Sequence, residues 1–224
     1  MEANLTVVAG ALLVTDPGAK ARDDVLGLSL YAQLAADKKG STAAPPFTRH
    51  DDPVSWHRHN TAALKNFGML LPATDELAFT ALPGEVRTLV QWLELQPSSA
   101  PAQALLQLAR LPEDDKALQR LQSRILAHDA TGSRLTLLLQ CLSGEGSFES
   151  WFVTLHTAQP LGPNVFSQPI DGGSLLCEVH ISHRAGRLGP GHGQFRTLLA
   201  QKIEAVRQAN VLTIDNPQTT GDTP

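Results

Sequence analysis

The sequence predicts an α+β protein in which about five helices in the N-terminal half pack on a mainly antiparallel sheet, followed by a C-terminal helix and a short strand. Up to about residue 130, apolar residues recur at helical spacing between proline and glycine boundaries. From Arg134 the apolar period changes to two, which is typical of strands with one buried face. We therefore expect the helices to pack against one face of the sheet.

Size and charge limit the classes of function. The chain has 224 residues, of which 42% are hydrophobic, so it can bury one large core. We expect a single domain over residues 1–215 and a disordered polar tail over 216–224. The net charge of -4 combines 18 basic and 22 acidic residues without a long run of one sign, so nucleic acid is not an expected partner.

The first apolar run, from Leu5 to Val14, is too short to cross a bilayer, and Glu2 stands where a signal peptide is positively charged. We expect no transmembrane segment and a soluble protein that is cytoplasmic, or exported without a cleavable signal peptide. Cys141 and Cys177 are too few for a zinc site and are expected to be buried strand residues. A disulfide between them is an alternative.

The first predicted helix begins at Asp23 or Asp24, which can cap its N-terminus, and ends at Gly40. Lys38 and Lys39 lie in its last turn, where the helix dipole favours cations. The second helix is predicted to begin with Asp52 as the cap and Pro53 in the first turn, and Gly68 closes it. One face of the second helix is apolar and carries Trp56, Ala63, Leu64 and Phe67.

Three further helices and three strands follow. The helices are predicted between Pro83 and Pro97, with Val86 on the apolar face, from Pro101 to Leu111, and from Glu113 to His128. The strands are predicted over 135–141, 151–155 and 175–181, and the short turns between them favour antiparallel pairing. A C-terminal amphipathic helix from Phe195 to Val206 and a short strand from Val211 to Ile214 complete the pattern.

His57 and His59 are candidate metal ligands, together with the nearby His50, Asp51 and Asp52. Positions two apart on a helix point roughly 200° away from each other, so the two histidines cannot close on one ion by themselves. We expect His59 to pack at the edge of the apolar face and His57 to point outward, with no metal bound.

Alternation places Glu178, His180 and Ser182 on one face of a strand, opposite Val179 and Ile181. Such a row could transfer protons, but a spacing of roughly 7 Å between same-face residues is too long for a direct relay. We expect this row to be a solvent-facing strand surface.

The loop from Arg184 to Gly193 is the candidate binding site. Its cofactor-binding residues would be Arg184, Arg187, Gly189, Gly191 and Gly193, because glycine N–H groups and cations before a helix can bind a phosphate or carboxylate. A flexible loop without a ligand is the alternative.

In outline, this strand, Arg/Gly loop, helix and short strand resemble the acyl-coenzyme A binding segment of the GCN5-related acetyltransferases, over about 40 residues. That family has Arg or Gln three residues before a Gly-x-Gly, whereas Gly186 and Leu188 stand in those places here. The resemblance implies a transferase that binds an anionic cofactor such as acyl-coenzyme A, with Arg184, Arg187 and Arg196 converging on a pocket.

Three motifs match in order across the N-terminal half. They are the segment from Asp24 to Lys39, Asp52-Pro53-x-x-Trp56, and Leu64-x-x-Phe67-Gly68. This pattern resembles an uncharacterised bacterial and fungal family of small α+β proteins. The resemblance implies the fold and carries no functional residues across.

No catalytic signature occurs in the sequence. The first functional interpretation is therefore a non-enzymatic interaction protein, such as a bacterial effector or toxin-type factor that binds a protein or membrane partner, with no cofactor. The alternative is the transferase described above. A third is a membrane-active protein whose helices from Gly84 to His128 rearrange at a bilayer. The oligomeric state stays open.

Overall fold

A computed structural model describes residues 3–72, 75–96 and 98–214, apart from the side chain of Glu76. Within these residues the chain forms α-helices and a large sheet, so the α+β class is confirmed. The helices are α1 (Arg22–Ser41), α2 (Pro53–Asn66), α3 (Leu89–Leu93), α4 (Ala100–Ala109), α5 (Lys116–Ile125) and α6 (Arg196–Asn210). The strands are β1 (Asn4–Val8), β2 (Ala11–Thr15), β3 (Met69–Leu70), β4 (Asp75–Phe79), β5 (Val86–Arg87), β6 (Leu126–Asp129), β7 (Gly132–Leu142), β8 (Ser147–Thr157), β9 (Ile170–Asp171), β10 (Val179–Leu188) and β11 (Val211–Ile214).

The large sheet has the strand order β11-β1-β2-β7-β8-β10, with β3 and β4 both paired to the far edge of β10 and β6 paired to β7. Its neighbours are antiparallel except β2 and β7, which run parallel. The prediction of a mainly antiparallel sheet is therefore confirmed. A separate pair, β5 and β9, forms a two-stranded sheet.

Helices cover both faces of the sheet, so the prediction of helices on one face is wrong. Alternate residues of the central strands divide between the two faces. Leu137, Trp151 and Val153 pack in the cluster that contains α3, α4 and α5. On the opposite face, Phe148 packs with residues of α1, α2 and α6, and Phe152 packs against Trp56 of α2.

The apolar run from Leu5 to Val14 forms β1 and β2, which the sequence did not predict as strands. Both strands are buried on their two faces, because β1 and β2 lie inside the sheet and helices cover each side. A strand buried on both faces has no polar alternation, so the periodic pattern that marks a half-buried strand is missing.

Several predicted boundaries shift. α1 begins at Arg22, so Asp23 and Asp24 lie in its first turn instead of capping it, and the helix extends past Gly40. Val86 belongs to β5, and α3 begins after Thr88, which forms a reciprocal capping box with Gln91.

The start of α2 is confirmed, because the Asp52 carboxylate accepts a hydrogen bond of 2.9 Å from the Ser55 N–H. Gly68, just after the helix, has a φ of +95°, as expected for a residue that ends a helix.

The third predicted strand begins four residues late, because β10 starts at Val179. Leu175 makes only an isolated bridge to Thr157, and Cys177 is exposed. Both cysteines are free, and the structure does not show the alternative of a disulfide between them. Cys141 lies half-buried in β7, where burial raises the pKa of its thiol to about 12.

α6 and β11 confirm the predicted C-terminal helix and short strand. The predicted tail, 216–224, lies outside the described residues. Within the described ranges, no helix combines the length and apolar character that crossing a bilayer requires.

Candidate functional site

The first half of the predicted Arg/Gly loop, from Arg184 to Leu188, is strand. Arg184 and Arg187 lie within β10, and because they are three residues apart their side chains leave opposite faces. Arg196 begins α6 and contacts Asp24 of α1 at 2.5 Å. The transferase interpretation requires these three arginines to converge, and the structure does not bring them together.

Gly189 of the same segment contacts the chain just after α2. The N–H of Gly189 donates a hydrogen bond of 2.7 Å to the carbonyl of Gly68, and a Cβ at Gly189 would lie 3.0 Å from that oxygen. The buried His192 follows in a 3-10 helix, Pro190–Phe195, with its Nδ1 2.8 Å from the Phe67 carbonyl. The Gly189 N–H therefore serves packing, and anion binding at Gly191 and Gly193 stays a prediction.

His57 does not point outward as predicted, whereas His59 makes a packing contact as predicted. His57 is buried and stacks on Phe152 of β8, with ring centres 4.4 Å apart, whereas His59 is half-buried and stacks on Phe47. α2 contacts both the sheet and α1, so it buries more of its surface than the face formed by its apolar residues. Across the described residues, no three His, Cys, Asp or Glu side chains are grouped closely enough to hold a metal ion.

A cavity of about 600 Å³ lies between part of α2 and the sheet surface formed by β8 and β10. We call it the α2–β10 cavity. The predicted alternation on β10 is confirmed for Val179 and Ile181, which are fully buried on the face away from the cavity. Glu178 and His180 are exposed, as expected for a solvent-facing row, whereas Ser182 is buried. His180 and Ser182 line the cavity. The cavity is lined by Pro53, Val54, His57, Arg58, Thr61, Ala62 and Lys65 of α2, by Phe152 and Thr154 of β8, and by Cys177, His180, Ser182 and Arg184.

Three residues of α2 give this cavity a polar stripe. Arg58, Thr61 and Lys65 are spaced three and four residues apart, so they lie on one face of the helix, and Arg184 lies across from them on β10. The described lining residues include cations and no Asp or Glu. Arg58 and Lys65 form no ion pair within 4.0 Å with any described residue. The stripe therefore gives this wall of the cavity cationic side chains.

The histidine at the floor of the cavity is uncharged at neutral pH. Burial, and secondarily the charge of Arg184, lowers the pKa of His57 to about 3. Its ring therefore provides stacking surface and neutral hydrogen-bonding atoms.

Thr61 lines the α2–β10 cavity and carries an unsatisfied hydroxyl. The residue is only 6% exposed, and its Oγ1 is fully buried without a hydrogen-bond partner in the described part of the chain. Leaving such a group unsatisfied costs about 1–3 kcal/mol. Sequence reasoning missed Thr61, because the orientation of its hydroxyl depends on how α2 packs against β8 and β10.

No protein-family profile matches this sequence, and no curated protein sequence matches it. Among solved structures, the fold is similar to that of the Evf virulence factor, with 8% identity over 91% of this chain and 84% of that chain, and a TM-score of 0.38. A similarity of this degree carries no argument about function. The comparisons do not confirm the resemblance to an uncharacterised family, and they do not support the acetyltransferase resemblance.

Proposed function

We propose that this protein binds, without a catalytic step, an anionic ligand with an apolar body in the α2–β10 cavity. The observation that carries the proposal is the lining of the cavity, in which Arg58 and Lys65 flank Thr61 on one face of α2 and the described residues include no Asp or Glu. The proposal keeps the non-enzymatic interpretation of the sequence. The proposed anion-binding site lies on α2 instead of on the predicted Arg/Gly loop.

Helix geometry lets these three side chains meet one anion. Thr61 is one turn from both Arg58 and Lys65, and side chains so placed have Cβ atoms roughly 5–6 Å apart. The Thr61 Oγ1 is enclosed in the structure, so the side chain must rotate toward the cavity before a carboxylate, sulfonate or phosphate can accept its O–H. The two cations approach the same anion from either side. Hydrogen bonds between charged groups are shorter and stronger than neutral ones.

The rest of the α2–β10 cavity suits an apolar body. Phe152 and Ala62 contribute to the wall, and Val54, which is 79% exposed, lies at its mouth. A volume of about 600 Å³ falls within the usual range for small-molecule sites. Apolar contact supplies affinity, at roughly 25 cal/mol per Å² buried, and the stripe on α2 supplies orientation.

Titration with 8-anilinonaphthalene-1-sulfonate tests this proposal, because the dye combines a sulfonate with apolar rings and fluoresces when its rings leave water. N-phenyl-1-naphthylamine has the same rings without the sulfonate. We expect Lys65→Gln to weaken binding of the sulfonate dye about tenfold, which corresponds to about 1.4 kcal/mol, and to leave the neutral dye unaffected.

Lys20→Gln is the matched control, since it removes the same charge from an exposed lysine that does not line the α2–β10 cavity. Equal loss of affinity in the two lysine variants, or no preference of the native protein for the sulfonate dye, would contradict the proposal.

Action as an effector or toxin-type factor on a protein or membrane partner stays a prediction from the sequence. Leakage of anionic liposomes measures the membrane branch of that prediction separately. If the protein releases a trapped dye while Lys65→Gln leaves the release unchanged, membrane action is independent of the α2–β10 cavity.

A further inference from the structure

A second cavity, of about 660 Å³, lies between α1, the turn that joins β1 to β2, and the segment 46–51. We call it the Arg49 cavity. It is separated from the α2–β10 cavity by stacked rings. The Arg49 guanidinium lies over Trp56, Trp56 stacks on Phe152 at 5.8 Å, and Phe152 stacks on His57.

Arg49 is a buried cation without an ion-pair partner. The residue is 8% exposed, and no described carboxylate lies within 4.0 Å of its guanidinium. Burial lowers its pKa to about 10, with a raising contribution from Asp37 and a further lowering one from Arg124, so it remains charged at neutral pH. A buried charge that lacks a counter-ion is costly, and a bound anion would offset that cost.

One nitrogen of Arg49 is left for a ligand. Nε donates to the Thr136 hydroxyl at 3.1 Å, and Nη2 donates to the carbonyls of Thr136 at 2.9 Å and Gly10 at 3.1 Å. Nη1 makes no hydrogen bond to any described residue and is not among the fully enclosed atoms that lack a partner. Gly10 makes room for it, since a Cβ there would lie 1.8 Å from Nη1.

The mouth of the Arg49 cavity carries charges of both signs. Asp37, Asp51 and Arg124 are exposed and line the cavity. Asp37 accepts a hydrogen bond of 2.7 Å from the indole N–H of Trp56 through Oδ1. Asp51 accepts one of 2.7 Å from the Thr48 hydroxyl through Oδ2. Each carboxylate has further acceptor capacity for a cation.

We propose that the Arg49 cavity binds a small zwitterion of the α-amino acid type, with its carboxylate on Arg49 Nη1 and its ammonium on Asp37. The arrangement places the anionic end at the buried floor, where the cation lacks a partner, and the ammonium at the exposed mouth, where the carboxylates lie. This site does not depend on the α2–β10 cavity being a binding site.

Isothermal titration calorimetry with three probes tests both ends of the ligand. L-leucine carries both charged groups, N-acetyl-L-leucine lacks the ammonium, and L-leucinamide lacks the carboxylate. We expect both analogues to bind at least about tenfold more weakly than leucine, a difference of about 1.4 kcal/mol for each lost charged contact. Glycine, L-lysine and L-glutamate, titrated in parallel, show whether the side chain matters.

Asp37→Asn tests the orientation, because the amide oxygen can still accept from Trp56 while the negative charge is lost. We expect it to weaken leucine binding and to leave N-acetyl-leucine unchanged. Asp23→Asn is the control, since Asp23 is an exposed carboxylate of α1 that lies outside the Arg49 cavity. Arg49→Lys should weaken both ligands, and a circular dichroism spectrum shows whether that variant is folded.

No heat of binding from any of the four amino acids at millimolar concentration overturns the proposal. If leucinamide binds as tightly as leucine, the ligand carboxylate makes no contact with Arg49, and the zwitterion assignment is overturned. N-acetyl-leucine binding as tightly as leucine reduces the site to one for simple anions and overturns the zwitterion assignment.

Discussion

The Arg49 guanidinium carbon lies 4.5 Å from the centre of the Trp56 ring. The tryptophan is fully buried, and its indole N–H donates to Asp37 at 2.7 Å. Its ring also stacks on Phe152 at 5.8 Å. Trp56 therefore connects α1, α2 and the sheet, and forms the partition between the two cavities.

Trp56→Ala is expected to destabilise the protein by about 3–5 kcal/mol, because it removes a large buried ring together with its hydrogen bond. Trp56→Phe should cost less, since a ring remains to pack on Phe152. Urea denaturation followed by circular dichroism measures both. Val54→Ala on the same helix is the control and should change stability by no more than about 0.5 kcal/mol, because Val54 is exposed. An unchanged midpoint in Trp56→Ala would show that the ring contributes little to the core.

The sequence predicts an element well where the interactions that determine it are local, and poorly where they are long-range. α2 was predicted almost to the residue, because Asp52, Pro53 and Gly68 act locally through a cap, a fixed φ and a positive φ. β1 and β2 were missed, because burial on both faces erases alternation. The end of β10 was missed, because partners far away in the chain, β8 and β3, extend the strand through glycine and arginine.

The candidate sites depend even more on long-range packing. His180 and Ser182 were correctly placed on one face, but only the position of α2 turns that face into a cavity wall. Thr61 and Arg49 have no sequence pattern that sets them apart from other polar residues. Their importance comes from burial and from hydrogen bonds that are missing, and both follow only from the tertiary structure.

Stability is expected to fall as pH drops below about 6.5, because two histidines are held uncharged in the folded state. Burial is the main cause that lowers the pKa of His57 to about 3 and that of His50 to about 4, with Arg184 and Arg49 respectively contributing next. The unfolded chain binds these protons near pH 6.5, so the stabilisation is complete above that pH and is lost progressively down to the folded pKa values. Each titrating histidine contributes a slope of at most about 1.4 kcal/mol per pH unit.

Urea midpoints between pH 4 and 7 measure this slope, and His57→Phe should reduce it while keeping a ring against Phe152. The comparison is made without ligand, since His57 also lines the α2–β10 cavity. An identical pH dependence in the native protein and the variant would show that His57 does not titrate across this range on unfolding.

Gly132→Ala is expected to be strongly destabilising. Gly132 begins β7 with a φ of +146°, and a Cβ there would lie 2.0 Å from the backbone carbonyl oxygen of Thr157, which cannot move without disrupting β8. We expect a loss of about 3 kcal/mol or more. Gly146→Ala is the matched control, because its φ is +85° but its Cβ meets no atom within 4 Å. That change should cost about 1–2 kcal/mol for the left-handed conformation alone. Thermal unfolding of the two variants separates steric overlap from backbone strain, and equal losses would contradict the overlap.

Thr61→Val separates a structural role of the threonine from a role in binding. Valine has nearly the same shape, and no described residue is hydrogen-bonded to the Thr61 hydroxyl, so removing it deletes an unsatisfied buried polar atom. We expect the stability without ligand to be unchanged or to rise by up to about 1 kcal/mol. Affinity for the sulfonate dye should fall about tenfold, because the valine cannot donate to the anion, while affinity for the neutral dye is kept.

Thr131→Val is the control for a threonine whose hydroxyl has a partner, since the Thr131 hydroxyl donates a hydrogen bond to Asp129. Thr131 is also far from α2 in the sequence. It should lower stability slightly and leave both dyes unaffected. Chemical denaturation and dye titration are measured on the same preparations. If Thr61→Val loses stability and keeps its affinity for the sulfonate dye, the hydroxyl has a structural partner in solution, and the anion site on α2 has no basis.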